Sequence, residues 1–428
     1  MKSSERLFAY LTVFIMVVLG VFTYTAQVKA QDTDPLTCPE FAERVLADVG
    51  NVCSNLSRNT ACFGHPRIDY TRFTQAFDAE YFTRVGDRAD LTTTETIQTG
   101  PFNLLSEEWG VDVMSVQGNL PNSLVGNNGI VYIHTGGVEV ENDILPSEAV
   151  ILPPTGINIT SIAPVDLLTD PPSRLPSEFA RSVPSGSLLS ADALDETGDY
   201  VRVIYQNYPG WVERAALDSS VNLSSLPSIG PESFTPMQSF YFRVGIGGIS
   251  CVDAPSLLFI QGPAGIPVDY RVHLHDIRID SSVIMRTVSP GDDLGDYMEL
   301  ITVFGLARIH PGAPDEIIVP PGFYSRIPFC PVWASLGIEG DADEKATCGS
   351  WSQPRPLSAE DLAGLGVVEH FPENVINHPV HLPEVIHPSS IPSPLPHFAF
   401  PDSGALTLAQ GACLSGELSE EICEYLGL

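Results

Sequence analysis

Basic side chains are scarce in this sequence. Its 428 residues include 21 Lys and Arg against 53 Asp and Glu, so the formal net charge is -32 at pH 7. Such a charge repels nucleic-acid phosphates and anionic lipid surfaces, which excludes a nucleic-acid-binding protein. It favours a solvated acidic surface, or a cationic partner such as a metal ion or a basic polymer.

Catalytic motifs are absent as well. The sequence has no G-x-S-x-G, no H-E-x-x-H, no phosphate-binding loop and no basic patch. Its cysteines lack the C-x-x-C spacing typical of zinc sites. Cys251 has no near neighbour in sequence, but a strand-like stretch follows it instead of the helix N-terminus that lowers a thiol pKa. We therefore predict a binding protein without a cofactor, and no enzyme.

The beginning of the chain has the pattern of an export signal. Lys2 and Arg6 precede the apolar run Leu7–Tyr24, and the small residues of Val28-Lys29-Ala30 precede Gln31. We predict that residues 1–30 are cleaved, with an uncleaved membrane anchor as the alternative, since the run is long enough to span a bilayer. The protein is then secreted or held in the extracytoplasmic cell envelope, and it meets a membrane only through this segment, if at all.

Eight cysteines follow the predicted signal, and an even number in an exported chain indicates disulfides. Proximity in sequence favours three pairs, which leaves one long-range pair to tie the N-terminus to the later β region. The four pairs are Cys53–Cys62, Cys330–Cys348, Cys413–Cys423 and Cys38–Cys251. Other connectivities of the eight remain open.

The composition indicates a mainly β, multi-domain protein. With 35 Gly, 37 Pro and 17% charged residues, the chain suits turn-rich sandwich or β-roll segments better than helices. One short N-terminal helix is predicted over Pro39–Cys53, because its apolar residues recur on one face. Residues 370–400 are rich in Pro and His, which predicts an extended strap, either docked on the β domain or free.

The best hairpin signal lies at Gly198–Leu217. Asp199–Tyr205 alternates as a half-buried strand does, Gln206–Gly210 is dense in turn formers, and Trp211 restarts a strand. Aromatic faces offer a large contact area, so we predict an aromatic platform for a glycan or peptide. The platform residues are Tyr200, Tyr205, Tyr208 and Trp211. The alternative for Trp211 is a place in the core, which leaves Tyr208 as the best exposed contact.

These residues also carry a resemblance. Gly198-Asp199-Tyr200-Val201-Arg202-Val203 and Gly210-Trp211-Val212 match the signature G-D-W-V-R-V … G-W-V, so residues 181–219 resemble the second half of a bacterial SH3-like domain. The resemblance implies a small barrel that binds cell-wall peptide or glycan, or that packs on a neighbour. The first half of such a domain is abbreviated here to RSVPSGSLLSADALDETG.

Residues 239–330 hold the densest series of predicted strands, which indicates a sandwich, jelly roll or β-roll. These strands are Ser239–Val244, Ser256–Gln261, Val268–Leu274, Asp276–Ile279, Val283–Val288, Met298–Phe304, Leu306–Ile309 and Glu316–Val319. The stretch that ends in Pro320-Pro321-Gly322-Phe323 resembles the closing strands of a FecR-type extracytoplasmic domain. The whole order of segments resembles uncharacterised exported proteins of filamentous, envelope-rich bacteria, and that resemblance implies no activity.

One alternative involves a metal. His273 and His275, at i and i+2, are predicted on one face of a strand, and Asp280 follows. The three loosely resemble the first metal motif of cupins, G-x5-H-x-H-x3,4-E, which implies a metal-dependent enzyme. Asp280 stands in place of the motif's Glu, and Ser325 stands where the second cupin motif has His. The competing interpretation is two solvated histidines on a sheet face.

Taken in order, the predicted segments are 1–30 signal peptide or anchor, 31–145 Cys-containing helix plus β segment, 146–180 linker, 181–219 SH3-like segment, 220–238 linker, 239–330 FecR-like β domain and 331–428 Pro-rich tail with a terminal helix. We predict a non-catalytic extracytoplasmic binding or adaptor protein of the bacterial cell envelope. Its β modules contact cell-wall peptide or glycan, or an envelope protein. The alternatives are the cupin-like enzyme and a purely structural surface protein, in which Tyr208 and Trp211 are buried.

Overall fold

The computed structural model describes residues 37–74, 82–122, 124, 129–174, 177–244, 251, 254–289, 296–329, 347, 349–362 and 364–383. Within these residues the protein is mainly β, with three sheets and two short α-helices, which confirms the predicted class. The predicted signal segment and the pairs Cys330–Cys348 and Cys413–Cys423 lie outside the described residues. Among the residues described, no helix reaches the length and hydropathy that a membrane crossing needs.

The helices are α1 (Cys38–Val52) and α2 (Ala359–Leu362). The strands, in chain order, are β1 (Thr60–His65), β2 (Ile68–Arg72), β3 (Arg88–Asp90), β4 (Thr94–Thr99), β5 (Val111–Val116), β6 (Ile130–Thr135), β7 (Val138–Asn142), β8 (Ile157–Thr160), β9 (Val165–Leu168), β10 (Phe179–Val183), β11 (Leu188–Asp195), β12 (Tyr200–Tyr205), β13 (Tyr208–Glu213), β14 (Ser228–Ile229), β15 (Ser239–Val244), β16 (Leu257–Gln261), β17 (Val268–Val272), β18 (His275–Ile279), β19 (Ser282–Val288), β20 (Tyr297–Phe304), β21 (Ala307–Ile309), β22 (Ile317–Val319), β23 (Phe323–Pro328) and β24 (Arg355–Pro356).

Two of the sheets face each other as a sandwich. The nine-stranded sheet has the order β24-β23-β20-β19-β16-β6-β5-β1-β3, and the eight-stranded sheet has the order β2-β4-β7-β15-β17-β18-β21-β22. Their inner faces meet in one core, whose large members include Met114, Tyr132, Phe240 and Tyr270. Residues 37–142 and 239–329 contribute strands to both sheets. The segments predicted as separate domains at 31–145 and 239–330 therefore build one sandwich.

The outer face of the nine-stranded sheet is covered as well. Strands β5 and β6 are buried at every position, and their alternate residues Val111, Val113, Val131 and Ile133 point into a second core. Helix α1 and the segment 357–380 complete that core. Burial on both faces explains why these strands have almost continuous apolar runs. The described part of the Pro-rich strap is therefore docked on the sheet.

Helix α1 follows directly from its sequence. Thr37 and Glu40 form a reciprocal capping box at its start, and Phe41, Leu46 and Val49 are among the residues of its buried face. Disulfides hold both ends of the helix, through Cys38–Cys251 and Cys53–Cys62. Two of the four predicted pairings are thus confirmed. Such bonds are typical of proteins in oxidising, extracytoplasmic compartments.

The third sheet is an insertion into the sandwich. Strands β7 and β15 are antiparallel neighbours, with Phe240 opposite Asn142, so residues 143–238 leave and return at the same place. Within them lies a seven-stranded sheet with the order β10-β9-β13-β12-β11-β14, in which β8 also pairs with β11. Its own core includes Leu189, Val201, Val203 and Val212.

This inserted sheet is larger and more open than predicted. Strands β8 and β9 lie in the stretch 146–180 that was predicted as a linker, and β14 lies in the second predicted linker, 220–238. Strands β8 and β9 supply the β structure that residues 181–219 alone lack. In the described residues the sheet does not close into the predicted barrel, because β10 pairs with β9 alone.

Candidate functional site

A cleft lies where the inserted sheet meets the sandwich, and we call it the junction cleft. It has a volume of about 40 Å³, and it is lined by Asn119, Asp170, Arg174, Tyr208, Trp211 and Arg278 among others. One water molecule needs on the order of 10–15 Å³ by this measure, so the cleft holds a few waters or one small polar group. Its walls combine residues of the inserted segment with residues of the sandwich.

Buried ion pairs cross the junction at this cleft. Arg278 on β18 lies opposite Asp269 on β17, and its Nε and Nη2 donate to the two carboxylate oxygens at 2.7 and 3.0 Å. Nη2 of Arg278 also lies 2.7 Å from Oδ2 of Asp170, which belongs to the inserted segment. Burial of a charge is costly unless it is paired, so this arrangement fixes the insert against the sandwich.

The two carboxylates that share Arg278 differ in acidity. Burial raises the pKa of Asp170, and the nearby Arg278 only partly offsets this. Burial also acts to raise the pKa of Asp269, but the charges of Arg278 and Arg174 outweigh it and hold that pKa below its ordinary value. Protons therefore reach Asp170 before Asp269 as the pH falls.

A second buried pair lies beside the first. Arg202 on β12 makes a two-pronged contact with Asp192, at 2.8 and 2.7 Å, and its Nη1 donates to the carbonyl oxygen of Asn119 at 2.7 Å. The Asn119 side chain in turn accepts the backbone N–H of Asp269 at 3.0 Å. Asn119 thus connects both ion pairs. Arg202 belongs to the SH3-like signature, but the signature gave no indication that this arginine contacts the sandwich.

The predicted aromatic platform is not one exposed surface. Trp211 is 5% exposed and packs with Leu152 and Ile229 beneath the junction cleft. Tyr208 is half-buried between the two cores, with the Arg181 guanidinium 4.3 Å from its ring centre. The other two members, Tyr200 and Tyr205, are also partly buried and lie on opposite faces of β12. Residues an odd number apart on a strand face opposite ways, so the four rings fall into two pairs. Tyr200 and Trp211 lie on one face of the hairpin, and Tyr205 and Tyr208 lie on the other.

The predicted metal residues do not converge either. His273 and Leu274 form the turn between β17 and β18, both with positive φ, so the two histidines do not share a strand face as predicted. The ring of His273 turns to the backbone of Phe242, with Nε2 2.6 Å from the carbonyl oxygen, and Asp280 accepts the N–H of Leu306 at 2.6 Å. Within the described residues, no three His, Cys, Asp or Glu side chains form a metal-binding group.

His275 instead belongs to a continuous hydrogen-bonded chain of side chains that the sequence did not predict. Its Nδ1 lies 2.8 Å from Nε2 of His310, whose Nδ1 lies 2.8 Å from Oδ2 of Asp315. On the other side, Nε2 of His275 lies 2.8 Å from Oγ1 of Thr347. Burial, and next the neighbouring His310, lower the pKa of His275 to about 4. We call these four residues the Asp–His–His–Thr chain.

Comparison with protein-family models, with curated proteins and with solved structures finds no match to this chain.

Proposed function

We propose that this chain is an extracytoplasmic binding or adaptor protein of the bacterial cell envelope. In this proposal the inserted sheet is an SH3-like module and the sandwich, with its FecR-like closing strands, carries it. The signature residues support the module, since Val201 pairs with Val212 in the β12–β13 hairpin and both are buried in the insert's core. The two disulfides support an extracytoplasmic location.

The junction cleft is the observation on which the binding proposal rests. Ligand sites concentrate where two structural units meet, and they combine aromatic walls with a few polar groups. Arg174 is the wall arginine with the loosest contacts, at 3.4 Å from Asp269 and 3.7 Å from Asp170, and 24% of its side chain is exposed. It is the group best placed to exchange a carboxylate partner for the carboxylate of a cell-wall peptide.

A pull-down on purified cell-wall sacculi tests this function. We expect the full chain to be retained and the Arg174→Gln variant to lose at least about tenfold in affinity, because a charge-assisted hydrogen bond contributes roughly 1.5–3 kcal/mol. Arg214→Gln is the matched control, since Arg214 is an exposed arginine of the insert outside the junction cleft. Circular dichroism checks that all three proteins fold. Failure of the wild type to bind, or equal binding of Arg174→Gln, would contradict the proposal.

A purely structural surface protein is the second candidate, and the burial of Trp211 favours it. In that case Tyr208 and Trp211 only join the insert to the sandwich. Tyr208→Ala then lowers the unfolding midpoint and leaves retention on sacculi unchanged. A loss of retention at an unchanged midpoint would favour the binding protein instead.

A further inference from the structure

The Asp–His–His–Thr chain unites residues from separate parts of the sandwich. His275 opens β18, and His310 directly follows β21, which is the strand paired with β18. Asp315 lies in the loop before β22, and Thr347 forms a bridge with Phe329 just after β23. The fold thus brings together polar side chains from three separate stretches of the sequence, since only His310 and Asp315 are near each other along the chain.

The ionised carboxylate of Asp315 orients the hydrogen bonds of the Asp–His–His–Thr chain. The hydrogen bond from His310 lowers the pKa of Asp315, so its carboxylate is ionised and can only accept. His310 donates from Nδ1, so the neutral form of His310 presents a lone pair on Nε2 to His275. With His310 in that form, the contact of 2.8 Å requires a proton on Nδ1 of His275.

With its proton on Nδ1, His275 presents a lone pair at Nε2. Among the described residues, the group in contact with that nitrogen is the Thr347 hydroxyl, 2.8 Å away, which then donates. The two imidazole planes lie 25° apart, with ring centres at 5.0 Å, so the shared proton lies close to both ring planes. The Trp351 ring stands edge-on to His275 at 5.7 Å and braces it.

We propose that Thr347 is an acyl-accepting nucleophile. His275 serves as its general base, and His310 and Asp315 are positioning residues that hold the base in the required tautomer. A hydroxyl, a base that takes its proton and a group that orients the base are the elements of nucleophilic activation in proteins. Thr347 is half-buried and so accessible to a small reagent. This modification site goes beyond the proposed binding function and does not depend on it.

The acyl donors that suit this arrangement are esters and thioesters. The hydroxyl oxygen of Thr347 attacks the donor's carbonyl carbon, and its proton passes to Nε2 of His275. When the tetrahedral intermediate collapses, the bond from that carbon to the donor's leaving oxygen or sulfur breaks. The leaving alcohol or thiol takes the proton from Nε2. The products are an acylated threonine and a free alcohol or thiol, without oxidation or reduction.

The protonation state of His275 suits this role. Burial lowers its pKa to about 4, the nearby His310 and His273 act in the same direction, and Asp276 and Asp315 oppose them. The imidazole is therefore neutral and able to accept a proton at neutral pH. A comparison pair lies elsewhere in the sandwich, where the Ser281 hydroxyl lies 3.3 Å from Nε2 of His378. Within the described residues, Nδ1 of His378 contacts the Gln261 amide and the Pro379 carbonyl, and not a carboxylate.

The test is acetylation of the full chain by p-nitrophenyl acetate, followed by p-nitrophenol release and peptide mass spectrometry. We expect one acetyl group on Thr347 and none on Ser281. His275→Gln should slow acetylation of Thr347 on the order of a hundredfold, because general-base catalysis contributes roughly 10²–10⁴. His378→Gln is the matched control and should leave the rate unchanged.

Two further variants separate chemistry from folding. Thr347→Ser retains a nucleophile and should be acetylated, whereas Thr347→Val should not. In the wild type the rate should be level above pH 5 and fall near pH 4. His310→Gln should move that fall to higher pH, because a neighbour that lowers the pKa of His275 is gone. A wild type without an adduct on Thr347, or acetylation of His275→Gln at the wild-type rate, would overturn the proposal.

Discussion

Arg278→Met is the sharpest test of the junction between the inserted sheet and the sandwich. The substitution leaves Asp170 and Asp269 buried with Arg174 alone, at 3.7 and 3.4 Å. Breaking a buried ion pair costs about 3–5 kcal/mol, and because one arginine remains we expect a loss of about 3 kcal/mol. That is a large share of the roughly 5–15 kcal/mol by which a typical domain is stable.

The loss should also depend on pH in a definite direction. Without Arg278, both carboxylates have a folded-state pKa above their unfolded value, since burial disfavours the charged form. The penalty is then absent below the unfolded pKa and grows as the pH rises through the folded one. Urea unfolding followed by circular dichroism and by tryptophan fluorescence, at neutral and at acid pH, measures both effects. Fluorescence reports on the junction because Trp211 lines it.

Combining Arg278→Met with neutralised carboxylates decides whether the ion pairs are the cause. Adding Asp170→Asn and Asp269→Asn to Arg278→Met removes the unpaired charges and should restore part of the lost stability. Arg214→Met, on the exposed surface of the insert, is the control and should change little. A loss below about 1 kcal/mol for Arg278→Met, or the same loss in the neutralised background, would refute the reasoning.

Three further predictions concern the sandwich. The folded-state pKa of His275, about 4, lies below its ordinary 6.5, so its contribution to stability is present above pH 6.5 and is lost as the pH falls towards 4. Because His275 is partly exposed, we expect roughly 1–2 kcal/mol, and His275→Gln should flatten unfolding curves across that range. The double substitution Cys53→Ser with Cys62→Ser should lower the free energy of unfolding by about 2–3 kcal/mol. Reductant should therefore lower the stability of the variant less than that of the wild type. Glu299 is fully buried and pairs with both Arg286 and Arg326. Glu299→Gln should therefore lower the free energy of unfolding by about 3–5 kcal/mol and speed proteolysis of the docked strap.

Local patterns predicted the elements whose signals lie within one short stretch. Helix α1 has its cap, its apolar face and its cysteines within residues 37–53, and the strands of residues 239–330 were found close to their predicted bounds. In each case the periodicity of the element itself carries the information. The Cys38–Cys251 bond followed from pairing the remaining cysteines.

Pairing between distant segments was not predictable from the sequence. Strands β8 and β9 have four residues each and stand among prolines, so composition indicated a linker. Their strand character comes from partners elsewhere in the chain, such as Leu189 opposite Ile159 and Trp211 opposite Leu168. The same limit explains why residues 31–145 and 239–330 were divided, although β6 and β16 are neighbours in one sheet.

The sites follow this rule too. Arg202 was noted as part of a signature, but its contact with Asn119 depends on how the insert docks. His275 was noted for its closeness to His273, whereas its partner His310 is brought in by the pairing of Ile277 with Ile309. The sequence did contain one usable signal, because His273 and Leu274 interrupt two runs of alternating residues. The structure has a turn with positive φ at these two residues.

The position of the insertion has a consequence for how this architecture varies. Asn142 and Phe240 are opposite each other across an antiparallel pair, so their Cα atoms are about 5 Å apart. Residues 143–238 therefore occupy the place of an ordinary hairpin loop, and a short turn would close the same ladder. The sandwich can keep its strand order while the inserted unit is lengthened, exchanged or lost, which makes this edge a natural point for acquiring new recognition surfaces.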